Sequence, residues 1–229
     1  RDTDRSRGLG DVYKRQVAYR PKRITVDSVG RMYVLVNNCY EGFVELDPEG
    51  NFNRYVGATP VTVSLVDRFW RSIQTEAQQA RSSLWLPTTY SDLAIDADGF
   101  IYASIADSTS KDPIRKLNAS GDDVMPENEF TERPMGDYDE SGKSLSNLTN
   151  IAVADDGRFA VLDSVYSRIF VYSSDGNLMY EFGGSGNAEG KLNSPVGICF
   201  MDEKVLVVDL AYQSVEVFAP TESGHLINQ

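Results

Sequence analysis

Four segments of this chain repeat one pattern: an apolar strand, an acidic–glycine turn, a second apolar strand and then a third. The pattern is clearest in the run from Asn150 to Gly157, which Arg158–Asp163 and Ser167–Tyr172 follow. A second copy runs through Val196–Met201, Val205–Asp209 and Ser214–Phe218. Two earlier copies comprise Ile24–Asp27, Arg31–Val36 and Gly42–Leu46, then Leu93–Asp96, Phe100–Ser104 and Ile114–Leu117. Turns come from Glu49-Gly50, Asp98-Gly99, Ser120-Gly121, Asp156-Gly157 and Asp175-Gly176. Glycine takes the positive φ that tight hairpins need, and aspartate bonds back to its own backbone. The strands are short and rich in Val, Ile, Tyr and Phe, which predicts an all-β chain. A single unit of this kind cannot bury its apolar face alone, so the copies must stack on one another.

The spacing from Ile151 to Ile198 is 47 residues, within the range of β-propeller blades. Phe182-Gly183-Gly184-Ser185-Gly186, then Gly190-Lys191-Leu192 and Pro195-Val196-Gly197-Ile198, resembles the inter-blade signature of NHL repeats. Asp163 through Arg168-Ile169 resembles that family's Asp-x-x-x-x-Arg-Ile segment, and Asp209 to Val215 repeats it with Ser214 in place of Arg. In the first two copies Val36 and Ile105 stand where the Asp is expected, so their assignment rests on strand pattern. The resemblance implies a partial β-propeller over residues 17–220, four blades of a ring of about six. Gly157, Gly183, Gly184, Pro195 and Gly197 are expected to shape the repeat, and Asp163 to close its blade by a charge-assisted hydrogen bond with Arg168 or by capping the turn between them.

Two insertions interrupt the repeat. From Ser64 to Leu84, apolar residues recur at helical spacing, Ser64 and Asp67 form an N-cap pair, and Pro87 ends the run. The expectation is an amphipathic helix over 64–84 lying on the propeller, with Trp70 and Trp85 as a candidate partner surface. Phe69-Trp70 through Thr88 narrows the resemblance to the extracytoplasmic propellers of bacterial membrane proteins that end in a Yip1-type membrane domain. That likeness implies an extracytoplasmic, membrane-tethered protein, with residues 221–229 opening a linker or helical region. The second insertion, Asp122 to Lys143, is acidic. Its Asp137–Gly142 imitates half of an EF-hand loop, but Leu148 stands where the bidentate Glu belongs, so a solvated loop is expected.

Residues 1–16 read as a translated sequencing adaptor. Asp11–Gln16 can be written GAT GTG TAT AAG AGA CAG, the mosaic end of transposase-based DNA libraries, and Ser6–Gly10 fit the arm upstream. Without this leader, 213 residues remain, with 17 basic and 31 acidic side chains and a net charge of −14. So acidic a surface repels phosphate backbones and argues against nucleic-acid binding. Hydrophobic residues make up 41% of the chain, enough for a packed core. Cys39 and Cys199, both in apolar runs, are expected to be buried free thiols. The chain has no apolar run long enough for a membrane helix, so any membrane attachment would lie in other parts of the protein.

Little here suggests catalysis. His225 is the only histidine, and Gly183–Gly186 lead into a turn and strand rather than a helix. One alternative is a calcium-dependent hydrolase of the gluconolactonase type, whose axial metal would draw on Asn37, Asp163 and Asp209. The reading adopted is a non-catalytic module that needs no cofactor and binds a protein or another extracellular ligand.

Overall fold

The computed structural model describes residues 20–37, 39, 41–58, 89–107, 110, 112–126, 135–222 and 224. The leader, the 64–84 segment with Trp70, Trp85 nearby and His225 lie outside these described residues.

Among the described residues, fourteen strands form four antiparallel sheets. Blade 1 holds β1 (Pro21–Val26), β2 (Met32–Val36), β3 (Phe43–Leu46) and β4 (Phe52–Val56). Blade 2 holds β5 (Asp92–Ile95), β6 (Ile101–Ser104) and β7 (Ile114–Leu117). Blade 3 holds β8 (Leu148–Val153), β9 (Phe159–Asp163), β10 (Arg168–Tyr172) and β11 (Leu178–Gly183). Blade 4 holds β12 (Pro195–Met201), β13 (Lys204–Asp209) and β14 (Ser214–Phe218). In each sheet the strands follow one another in chain order. The first strands neighbour one another in turn: β1 lies by β5, β5 by β8 and β8 by β12. The chain is thus an all-β partial propeller of four blades with its first strands innermost.

The period-two alternation of each strand sends side chains to both faces of its sheet, and the core forms in the gaps between blades. Tyr33, Leu35 and Phe43 of blade 1 meet Leu93 and Ile101 of blade 2. Tyr102 of blade 2 meets Phe159 and Phe170 of blade 3, with the rings of Phe159 and Tyr172 stacked at 5.2 Å. Leu162, Ile169 and Val171 of blade 3 meet Val205, Val207 and Phe218 of blade 4. The register slips at equivalent places in three inner strands: Pro21/Arg23, Leu148/Asn150 and Pro195/Gly197. Such bulges bend a strand and increase its twist.

The structure departs from the sequence-based expectations in several places. Blades 1 and 3 carry a fourth strand beyond the three-strand pattern, β4 and β11, each following one of the predicted acidic–glycine turns. Both cysteines are free, but only Cys39 is buried. Cys199 is exposed, because it points out of β12 on the side away from blade 3, level with Leu206 and Val217.

Candidate functional site

Each blade has two ends. The turns after the first and third strands lie at one end, and the turn after the second strand lies at the other, with the connections between blades.

At the connection end, Asp163 and Asp209 are both fully buried at the close of the second strand of their blades. Asp163 accepts hydrogen bonds from Ser146 Oγ (3.0 Å), Asn147 N (3.0 Å) and Val165 N (2.9 Å). Asp209 accepts them from the N–H groups of Asn193 (2.6 Å), Ser194 (3.1 Å), Ala211 (3.0 Å) and Tyr212 (3.3 Å). Each carboxylate therefore ties the segment entering its blade to the turn leaving its second strand. Burial pushes the Asp209 carboxyl up, but the backbone N–H groups outweigh it and hold the group below the usual carboxylate range.

Of the two roles expected for Asp163, the cap on the turn towards Arg168 forms, through Val165 N, and the ion pair with Arg168 does not. The two residues are cross-strand partners, yet Arg168 turns to Asp137 and, at 3.4 Å, to Glu181, while the Asp163 oxygens are taken by backbone and serine donors. Asn37 stands one residue out of step with the aspartates. Val36 pairs with Pro21 as Asp163 pairs with Leu148 and Asp209 with Pro195. Blade 2 places Ser104 near this level, where its Oγ lies 2.8 Å from Ser91 Oγ. Among the described residues, no group of three or more His, Cys, Asp or Glu side chains is placed to hold a metal ion.

The glycines occupy turns and the inter-blade connection. Gly157 closes the β8–β9 turn at φ +83°. Gly183 and Gly184, at φ +88° and +96°, reverse the chain out of β11, and a Cβ on Gly183 would stand 3.1 Å from the Ser167 carbonyl. Pro195 opens β12, and Gly197 follows its bulge with open space where a side chain would be. In the acidic insertion, Asp139 accepts from Ser141 N, Ser141 Oγ and Lys143 N, so its carboxylate serves its own turn.

Sequence reasoning missed Asp92. Buried at the start of β5, it accepts from Arg23 Nε of blade 1 (2.8 Å) and from Asn150 Nδ2 (3.0 Å) and Ile151 N (3.2 Å) of blade 3. One carboxylate thereby links three inner strands, and no local motif announces it.

The opposite end is acidic. Its inner turns carry Asp27, then Asp96 and Asp98, then Asp155 and Asp156, then Asp202 and Glu203. Two clefts open between these turns. One, of about 230 Å³, lies between blades 2 and 3, lined by Asp96, Asp98, Lys116, Asp155 and Asp156 among others. The Lys116 ammonium is engaged there, 4.8 Å from the Phe100 ring centre and 3.3 Å from the Ser174 carbonyl. The other, of about 320 Å³, lies between blades 3 and 4 and is lined by Asp155, Asp156, Arg158, Phe200, Asp202 and Glu203 among others.

The four radial sheets and their polar ends define a β-propeller. No protein-family model and no curated protein sequence matches the chain. Solved structures do resemble it in fold. A protein of unknown function from Bacteroides thetaiotaomicron superposes with a TM-score of 0.55 at 13% identity, over 87% of this chain and 47% of that one. The Cps50 (Swd1) β-propeller domain of Myceliophteria thermophila gives 0.49 at 10% identity, over 89% and 55%. Virginiamycin B lyase from Staphylococcus aureus gives 0.45 at 11%, over 87% and 55%. The chain spans about half the length of each of these structures.

Proposed function

We propose that this chain is a non-catalytic binding or scaffolding propeller module. One observation carries the reading. Asp163 and Asp209, the carboxylates that an axial calcium would need, already accept three and four donors from their own blades. A metal would have to displace those hydrogen bonds, and the buried Ser146 hydroxyl would lose its acceptor. The opposite end offers accessible clefts and a dense set of carboxylates, as a recognition surface does.

The narrower reading places residues 17–220 among NHL-type propellers of about six blades, in the extracytoplasmic part of a membrane-tethered bacterial protein. Residues 1–16 are then an adaptor-derived leader, and 221–229 open the next region. Strand pattern, the glycine signature and the acidic surface support it.

The test is a calcium titration by calorimetry, paired with an assay of lactone hydrolysis. The module reading expects neither calcium-dependent heat nor turnover. Calcium-dependent lactone hydrolysis, lost on Asp163→Asn or Asp209→Asn in a variant that still folds, would replace it with the hydrolase.

A further inference from the structure

The three interfaces between blades follow one rule. The face that a blade turns towards the preceding blade carries apolar cross-strand pairs between its first and second strands. Blade 2 pairs Leu93 with Ala103 and Ile95 with Ile101, and this face packs on blade 1. Blade 3 pairs Ile151 with Val161 and Val153 with Phe159, and packs on blade 2. Blade 4 pairs Ile198 with Val207 and Phe200 with Val205, and packs on blade 3. Residues directly opposite in an antiparallel ladder share a face, so each set forms one patch. Blade 1 carries the same set, Ile24 with Val34 and Val26 with Met32. Among the described residues no blade lies on it, and Ile24 and Val26 are exposed.

The face turned towards the following blade repeats as well. The pairs Leu162–Ile169 and Ala160–Val171 that blade 3 buries against blade 4 recur in blade 4 as Val208–Val215 and Leu206–Val217. There Val208, Val215 and Val217 are exposed. The chain thus carries, on its two open flanks, the unlike halves of one more interface of the kind it already makes three times. In each of those three contacts a backward face meets a forward face, and like faces do not meet.

We propose that a second copy of this chain covers these flanks, the blade 1 face of one copy seated on the blade 4 face of the next. The contact is heterologous, joining copies head to tail through unlike faces. It involves neither the acidic clefts nor the buried aspartates, so it goes beyond the binding-module reading and stands independently of it.

The experiment uses the full chain and two variants, each blocking one flank: Ile24→Glu with Val26→Glu on blade 1, and Val208→Glu with Val215→Glu on blade 4. All four side chains are exposed, and glutamate creates no new attraction to an acidic surface. Circular-dichroism melts check that both variants fold, and sedimentation velocity at physiological salt reads the assembly. The native chain should associate as concentration rises. Each variant alone should stay monomeric, because one of the two unlike faces is then missing from every copy. An equimolar mixture should form a dimer and nothing larger, the intact blade 1 face of one variant meeting the intact blade 4 face of the other. A native chain that stays monomeric throughout, a single variant that still self-associates, or a mixture of folded variants that stays monomeric overturns the proposal. Should a variant fail to fold, the native chain still decides. Cys199 is exposed on the blade 4 flank, level with Leu206 and Val217. A photoreactive maleimide on Cys199 in a minority of copies should capture the Pro21–Val36 segment of a second copy, as mass spectrometry would read. Capture of blade 4 segments instead, or of none, also overturns it.

Discussion

Replacing Asp163 separates a structural carboxylate from a metal ligand. The side chain is fully buried, and its two oxygens serve three donors. Ser146 Oγ accepts from Asp137 N at 2.9 Å, so its own proton is directed at Asp163. In Asp163→Ala that hydroxyl, itself only 3% exposed, loses its acceptor, at a cost of about 1–3 kcal/mol. Val165 is exposed and its N–H can turn to water, which adds about 0.5–1 kcal/mol. The sum is about 1.5–4 kcal/mol, a fall in Tm of roughly 3–16 °C for a domain of this size. Asp163→Asn keeps the shape and one acceptor for Asn147 and Val165, so it should cost about 1 kcal/mol. Circular-dichroism melts of both variants, with and without calcium, provide the assay. Hydrogen exchange should quicken at Asn147 and Val165 in the alanine variant. An alanine variant that melts within about 2 °C of the native protein would refute the reasoning. So would native stability raised by calcium in a manner that Asp163→Asn abolishes.

Three further outcomes follow from the same geometry. The Asp209 carboxyl is held below its ordinary range, so it contributes stability that is present above about pH 4 and lost as pH falls through its folded value; Asp209→Asn should flatten the acid limb of a plot of urea midpoint against pH. Burial pushes the Cys39 thiol up, whereas Cys199 is exposed, so a maleimide should label Cys199 first and Cys39 only on unfolding, as mass spectrometry would read. Apolar side chains on the outer flanks of blades 1 and 4 should drive reversible self-association with rising concentration; light scattering that shows a monomer throughout would contradict this.

The strands were legible because strand residues, turn residues and period all pointed the same way. The acidic–glycine turns located the hairpins, and each predicted strand overlaps a real one. Strand β4 was hidden by its polarity: Asn53 and Arg54 serve the buried Glu45 on the neighbouring strand, so the apolar alternation is broken. The repeat aspartates were visible as positions but not as roles. Spacing suggested that Asp163 faces Arg168, and it does across the strands, but cross-strand adjacency does not decide which donor a buried carboxylate takes. Asp92 was invisible because its partners come from other blades, 58 residues away for Asn150. Such long-range chemistry leaves no local periodicity.

Blades 3 and 4 show how far context outweighs sequence in setting exposure. Leu162 pairs with Ile169 and Ala160 with Val171 in blade 3, and all four are fully buried against blade 4. In blade 4 the corresponding pairs are Val208 with Val215 and Leu206 with Val217. The side chains are just as apolar, yet Val208, Val215 and Val217 are 42%, 54% and 55% exposed. The outer flank of blade 1 is similar, with Ile24 and Val26 on β1 at 60% and 51%. Isolated exposed apolar residues are ordinary, but a face that repeats a buried face pair for pair is a contact surface by construction. A second sheet laid on it would gain the same burial that joins blade 3 to blade 4, at about 25 cal/mol per Å² of apolar surface covered. The flanks and the acidic turn end thus present different chemistry: the flanks offer apolar area that favours another sheet, and the turn end offers charge and hydrogen-bond donors that favour a polar ligand. A variant with charged residues at Val208 and Val215 should therefore stop self-association while leaving the acidic clefts unchanged.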